Sequence, residues 1–202
     1  MVKKMKILLL SDVPDKGLWD YYEDGKLSEY DLILSAGDLP AAYLCFLVTL
    51  ARCPLVYVHG NHDTHYDIKP PEGCICADDR VIEVNGLRIL GLGGSMCYRP
   101  GSCQYTEKEM QRRILKRTPG LLLKSGFDIL LTHAPVKGIN DMEDPCHQGF
   151  ECFRTLLDRY KPSYMVHGHV HMNYGHQVPR LTTYNQTTII NAYTKYMLEI
   201  DR

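Results

Sequence analysis

The fold is decided by a nine-residue stretch, LVYVHGNHD, at residues 55–63. Its first four residues are apolar or aromatic, which is typical of a short strand buried on both faces of a parallel sheet. The next five residues change at once to side chains that bind metals or move protons, and Gly60 permits the tight turn that this change requires. The stretch therefore predicts a buried strand that ends in a chemically functional loop.

Four other apolar runs of the chain also end in polar loops. Residues 40–52, between the run at 32–35 and the strand predicted from residue 55, have helical periodicity behind a proline, which favours a βαβ unit. Functional groups of open α/β sheets gather at the carboxyl ends of the strands, so we expect these loops to meet. The runs and loops are 6–10 before Asp12, 32–35 before Gly37-Asp38, 127–131 before His133, and 164–166 before His167-Gly168-His169-Val170-His171.

The remaining patterns complete one compact α/β domain over residues 1–202. Asn85-Gly86 predicts a hairpin between residues 81–84 and 87–90, because both residues tolerate positive φ. Thr106 and Glu109 form a capping-box pattern for a helix to about Arg117, closed by Pro119-Gly120. A second helix is predicted at 149–160 and two strands between 187 and 200. The sequence shows no repeat and no linker.

Composition excludes several classes of protein. With 45% hydrophobic and 23% charged residues, the chain of 202 residues is not a disordered one. Its formal net charge of −1 gives no general attraction to nucleic acid or anionic lipid, and we predict neither as a partner. The longest apolar stretch, residues 41–51, is shorter than the roughly 20 residues of a membrane span. We expect a cytoplasmic protein whose eight cysteines stay thiols.

The polar residues at the strand ends form a mixed set of carboxylates, one amide and imidazoles. Each alone has an ordinary interpretation, since an aspartate after a strand commonly caps a turn. Together they match the oxygen and nitrogen ligands that suit Mn, Fe, Zn or Co. Asp63 either orients an imidazole or caps a turn. His59 and His167 are expected to face away from the site by strand alternation, and His65 and His176 to lie at the surface.

The order of these motifs resembles that of the calcineurin-like metallophosphoesterases, from residue 6 to about 175 and into the closing strands. The resemblance implies a four-layer αββα sandwich with a site for two divalent transition metal ions. It also implies that Asp38 bridges both metals, while the non-ligand His62 protonates the leaving group. One site would be completed by Asn61, His133 and His169, and the other by Asp12 and His171.

The first motif departs from the pattern of that family. The family has a histidine two residues after the first aspartate, whereas this chain has Pro14, which has no side-chain lone pair. The Asp12 site would then bind its metal more weakly than the Asn61 site. Asp15 either replaces the missing ligand or is an ordinary turn residue.

The expected function is hydrolysis of a small phosphate monoester or diester by a metal-bound hydroxide at a dinuclear site. The alternative is a non-catalytic metal-binding scaffold of the same fold, but retention of His62 favours an enzyme. A nuclease would need a basic groove, and the basic run at 112–117 has the spacing of a solvated helix face. Arg99 and His147 either contact the substrate or serve packing and solvation. The sequence leaves the oligomeric state open.

Overall fold

The computed structural model describes residues 4–123, 126–174 and 178–201. Its elements follow the alternation of strands and helices that the sequence predicts. In chain order they are β1 (Lys4–Ser11), β2 (Leu32–Ser35), α1 (Ala41–Leu50), β3 (Leu55–Tyr57), β4 (Ile75–Cys76), β5 (Arg80–Val84), β6 (Leu87–Leu92), β7 (Ser95–Met96), β8 (Gln104–Tyr105), α2 (Glu107–Leu123), β9 (Ile129–Thr132), α3 (Glu151–Tyr160), β10 (Tyr164–His167), a 3-10 turn (Met172–Tyr174), β11 (Leu181–Tyr184), β12 (Thr187–Asn191) and β13 (Thr194–Asp201).

The strands form two large sheets and one small ribbon. The first sheet has the order β13-β1-β2-β3-β4, with β1 to β4 parallel and β13 antiparallel to β1. The second has the order β11-β12-β10-β9-β6-β5, with antiparallel strands at both edges and four parallel strands between them. Strands β7 and β8 pair separately. The parallel centres place several strand ends at one edge of each sheet.

Three apolar clusters show how the layers stack. Along β1, Leu9 packs in the cluster formed by residues of both sheets, whereas Leu8 packs with α1. This alternation follows from the period of two in a strand. On the other side of the molecule, Met110 of α2 and Phe153 of α3 pack against Leu130 of β9. The helices therefore flank the paired sheets, and the predicted four-layer αββα sandwich is confirmed.

The hairpin and the helix starts follow the local sequence signals. Asn85 and Gly86 have φ values of 51° and 75°, as the predicted tight turn requires. At the start of α2, the Thr106 hydroxyl accepts the Glu109 N–H at 3.3 Å, and the Glu109 carboxylate accepts the Thr106 N–H at 2.7 Å. These two reciprocal bonds form the predicted capping box.

The predicted end of α2 at Pro119-Gly120 is wrong, because the helix continues to Leu123. A proline removes the hydrogen bond to the carbonyl four residues earlier, here that of Leu115. The Leu115 side chain is 66% exposed, so this part of the helix is open to water that can satisfy the carbonyl.

Among the described residues, no helix has the length and apolar content of a membrane span.

Truncation of Leu9 tests the packing between the two sheets. Leu9 is fully buried in that layer. We expect Leu9→Ala to lower the free energy of unfolding by about 2–5 kcal/mol, because it leaves a cavity between the sheets. Met197→Ala on the neighbouring strand β13 is the control, since Met197 is 43% exposed. Equal small losses for the two variants in urea unfolding would contradict this packing.

Candidate metal centre

The polar loops that follow the strands meet in one pocket of about 330 Å³. Loops after β1, β2 and β3 come from the first sheet and the loop after β10 comes from the second, so the pocket lies where the edges of the two sheets meet. His133, after β9, is fully buried and reaches the same cluster through Asp38. The pocket is lined by Asp12, Asp38, Asn61, His62, Tyr98, Cys146, His147, His169 and His171.

Unusual backbone conformations bring these side chains inward. Asp12, Asp38 and His169 have φ values of 65°, 57° and 69°, in the left-handed region that costs free energy for residues other than glycine. A Cβ atom on Gly37 would collide with the Gly60 backbone, and one on Gly168 would lie 2.7 Å from the Asp12 carboxylate. At Gly37 and Gly168 the loops therefore lie closer together than a residue with a side chain would allow.

Asp63 ties two of the loops together. Its carboxylate accepts the backbone N–H of Gly60 at 2.7 Å and that of Asp38 at 2.8 Å. The sequence left open whether Asp63 orients an imidazole or caps a turn. In the structure it binds backbone N–H groups at a turn. Burial raises the pKa of Asp63 to about 6. Asp63 fixes the position of Asp38 relative to the loop that carries Asn61.

His133 presents a lone pair to two oxygen atoms. Its Nδ1 lies 2.7 Å from the Ala36 carbonyl, which can only accept, so Nδ1 carries a hydrogen. The neutral ring then has a bare Nε2, which lies 3.0 Å from Asn61 Oδ1 and 3.3 Å from Asp38 Oδ2. Three acceptors at these distances repel one another unless a proton or a metal cation lies among them.

The charges around His133 favour such a cation. Burial alone would lower the pKa of His133, but the negative charges of Asp38 and Asp12 raise it to about 9. Burial alone would raise the pKa of Asp38, but His133 lowers it to about 2. The site therefore stabilises positive charge next to Asp38.

His169 is held in the tautomer that leaves its other nitrogen available. Its Nε2 lies 2.6 Å from the Cys146 carbonyl and must donate to it, so Nδ1 keeps its lone pair. Burial lowers the pKa of His169 to about 3, which keeps the ring neutral. One donor atom from each of Asp38, His133 and His169 lies within 4.8 Å of the others. Carbonyls that fix the far nitrogen of each imidazole are usual around metal ligands.

Asp12 and His171 form a sparser pair beside this cluster. His171 Nε2 lies 3.6 Å from Asp12 Oδ1, and the Asp12 carboxylate accepts the His169 N–H at 3.0 Å. Burial opposes ionisation of Asp12, but the hydrogen bond from His171 leaves its pKa below the ordinary value. The Asp15 carboxylate pairs with Lys195 at 2.9 Å, and Asp15 is not part of the pocket lining.

His62 and His147 both line the pocket, whereas Arg99 does not. The His62 side chain is 63% exposed, its Nε2 lies 4.0 Å from Asp38 Oδ2, and its backbone N–H donates to Asp38 Oδ1 at 2.7 Å. His147 Nδ1 lies 2.7 Å from Asp144. The exposed Arg99 packs its guanidinium over the ring of Tyr98, 5.3 Å from the centroid, and only Tyr98 reaches the pocket.

Sequence reasoning missed the roles of Cys146 and Asp144. The Cys146 carbonyl acts through its backbone, for which a sequence has no signal, and Asp144 has the ordinary composition of a loop residue. His59 bonds to Asp78 at 2.5 Å, and His167 bonds to the Gly168 carbonyl at 3.0 Å, so both have partners of their own. His65 is exposed as expected, and His176 lies outside the described residues.

Solved structures share this fold at low sequence identity. The TT1561 protein of Thermus thermophilus superposes with a TM-score of 0.63 at 15% identity, over 95% of this chain and 90% of that one. A second crystal structure gives a TM-score of 0.67 at 13% identity, over 98% and 95% of the two chains. At these identities the likeness concerns the fold alone.

Curated relatives add similarity of sequence. A UPF0046 protein of Caenorhabditis elegans is 38% identical over 120 residues, which are 58% of this chain and 28% of the relative. The human metallophosphoesterase domain-containing protein 1 is 25% identical over 79% of this chain and 60% of its own. This chain thus spans less than two thirds of the length of either.

The family model for calcineurin-like phosphoesterases matches residues 5–173, which include all the loops that meet in the pocket. The chain therefore belongs to the calcineurin-like phosphoesterase family.

Proposed function

We propose that this protein, as one domain of residues 1–202, is a metal-dependent phosphoric ester hydrolase for a small phosphate monoester or diester. One observation carries the proposal. The acceptor atoms of Asp38, Asn61 and His133 converge within 3.3 Å of a neighbour, beside the fully buried ring of His133. A divalent cation would satisfy all three, and family membership supplies the reaction class.

The donor set supports two adjacent cation sites. Asn61, His133 and His169 would hold one metal, Asp12 and His171 the other, and Asp38 would belong to both. The carbonyls of Ala36 and Cys146 keep two of these imidazoles in the tautomer that a ligand needs. Bound divalent ions supply Lewis acidity, which neutralises phosphoryl oxygens and lowers the pKa of water. Mn, Fe, Zn and Co all suit these nitrogen and oxygen ligands.

We propose that His62 acts on the leaving group. Its backbone is anchored to Asp38, while its ring projects into the pocket mostly exposed to solvent. In hydrolysis, a water oxygen forms a bond to phosphorus and gives up a proton, and the bond from phosphorus to the leaving oxygen breaks. That oxygen takes a proton from His62, and the proton released by the water restores the imidazolium. A ring so exposed contributes little to packing, which supports a catalytic role over a structural one.

We propose that a further side chain of the pocket contacts phosphoryl oxygens. Asp144 orients the imidazole of His147, whose ring centroid lies 5.3 Å from that of His169. Tyr98 lines the pocket as well. We propose His147 as a substrate contact, whereas Arg99 reaches the site only through its packing on Tyr98.

Substitution of Asp38 tests the shared ligand. We expect Asp38→Asn to lower the content of bound metal at both sites and to abolish hydrolysis, because an amide has one acceptor oxygen and no charge. The measurement is elemental analysis of purified protein, with assays of a monoester and a diester in added manganese. Asp67→Asn, at an exposed position, is the control. Full metal content in Asp38→Asn would remove the bridging role.

Substitution of His62 separates catalysis from metal binding. We expect His62→Ala to keep its metal and to lose turnover by roughly 10² to 10⁴, the usual range for a positioned acid. The loss should be larger for esters of weakly acidic alcohols than for nitrophenyl esters, because nitrophenolate leaves without protonation. A parallel loss of metal would make His62 a ligand, and an equal loss for all esters would argue against a proton donor.

Pro14 determines the strength of the Asp12 site. Three protein ligands, Asp12, Asp38 and His171, leave this site sparse, so we expect it to be partly empty after purification without added metal. Pro14→His should raise occupancy towards two metals per chain. Pro14→Ala is the matched control, because it loosens the loop without adding a donor. Equal metal binding by the two variants, or two metals that survive repeated chelator washes of the wild type, would refute the expectation.

A further inference from the structure

A second hollow adjoins the metal pocket and shares two of its residues. It has a volume of about 360 Å³, and Asp38 and His62 border both cavities. Beyond them it is lined by Leu39, Pro40, Ala41, Asp63, His65, Tyr66 and Lys69. The side chain that we assign as the proton donor therefore stands between the metal pocket and this second space.

The walls of the second hollow are mainly apolar. The lining includes Leu39, Pro40 and Ala41, where the chain enters helix α1, and Tyr66. Leu39 and Tyr66 are buried, whereas Pro40 is exposed and Ala41 is half-buried. His65 and Lys69 are both exposed and add polar groups to the lining. A cavity with apolar walls and a few polar groups is the usual form of a site for a small organic group.

Residues that line the hollow are bonded to each other. The Tyr66 hydroxyl donates to the Leu39 carbonyl, and the Asp63 carboxylate accepts the Asp38 N–H at 2.8 Å. The Tyr66 ring also packs edge-on against Tyr57, with centroids 5.6 Å apart. The hollow is thus formed before any ligand binds, which reduces the entropy lost on binding.

We infer that this hollow, named here the leaving-group subsite, receives the alcohol portion of a phosphate ester whose leaving group has an apolar ring. The inference rests on the proposed function, since it places the phosphoryl group in the metal pocket. His62 would then lie next to the oxygen that joins the two portions and protonate it as its bond to phosphorus breaks. Esters with a ring are preferred over esters of small polar alcohols, because only the ring covers the accessible apolar surface of Pro40 and Ala41.

Binding of two phosphonates to manganese-loaded wild type tests the subsite without turnover. Benzylphosphonate has a carbon in place of the ester oxygen and carries a ring, whereas methylphosphonate has the same anionic group and no ring. We expect benzylphosphonate to bind at least about tenfold more tightly in isothermal titration calorimetry, as a filled apolar pocket provides. Equal affinities would overturn the subsite, whatever any variant does.

A pair of variants locates the effect. Ala41 lines the hollow, whereas its neighbour Ala42 is exposed and is not part of the lining. Ala41→Trp should remove most of the preference for benzylphosphonate and leave methylphosphonate binding unchanged. Ala42→Trp, with the same added bulk on the same helix, should keep the preference. Retention of the preference in a folded Ala41→Trp protein would place the ring elsewhere.

Hydrolysis distinguishes failure of the subsite from failure of the proposed function. We compare the kcat/KM of Ala41→Trp with that of wild type for a phenyl ester and for a methyl ester. The substitution should lower kcat/KM for the phenyl ester at least about tenfold more than for the methyl ester. Equal ratios would overturn the subsite while the hydrolase stands. If wild type cleaves neither ester with any metal, the proposed function fails, and the phosphonate preference still tests the hollow as a binding site.

Discussion

Three electron pairs that face one another in a buried place constrain the rest of this molecule. Asp38, Asn61 and the bare nitrogen of His133 lie within 3.3 Å of a neighbour in the cluster, and the far nitrogen of His133 is already bonded to the Ala36 carbonyl. Asp38 Oδ1 accepts the His62 N–H, but its Oδ2 and the other two acceptors face one another, and this is unfavourable without positive charge among them. A cation turns the same arrangement into a binding site.

The architecture exists at the cost of local strain. Two sheets bring their strand ends to one place. Residues with left-handed backbone conformations then direct the functional side chains into the pocket, and glycines allow the loops to contact one another. Asp63 offsets part of that cost, because a single carboxylate satisfies backbone donors from two loops. A strained backbone conformation persists when the surrounding contacts leave the chain no alternative. Here the three apolar clusters of the sandwich provide those contacts.

Much of this could be predicted from sequence, for a definite physical reason. Short apolar runs that end in Asp12, Asp38 and Asn61 predict buried parallel strands, and such strands place their carboxyl ends together. Contacts that are made through the backbone, or between residues far apart in the sequence, could not be predicted in the same way. Examples are the Cys146 carbonyl behind His169 and the pairing of the terminal strand β13 with β1. The continuation of α2 through Pro119 to Leu123 is a further example, because the proline and glycine had predicted an end there.

The most direct test of the central claim is anomalous diffraction from crystals of the protein loaded with manganese. We predict one strong peak among Asp38, Asn61, His133 and His169, and a second, weaker peak among Asp12, Asp38 and His171. Contradiction would come from a map with no peak beside Asp38, in which a protonated His133 bonds directly to the Asp38 carboxylate at saturating manganese. In that case the converging acceptors would hold a proton, and the site would not be a metal centre.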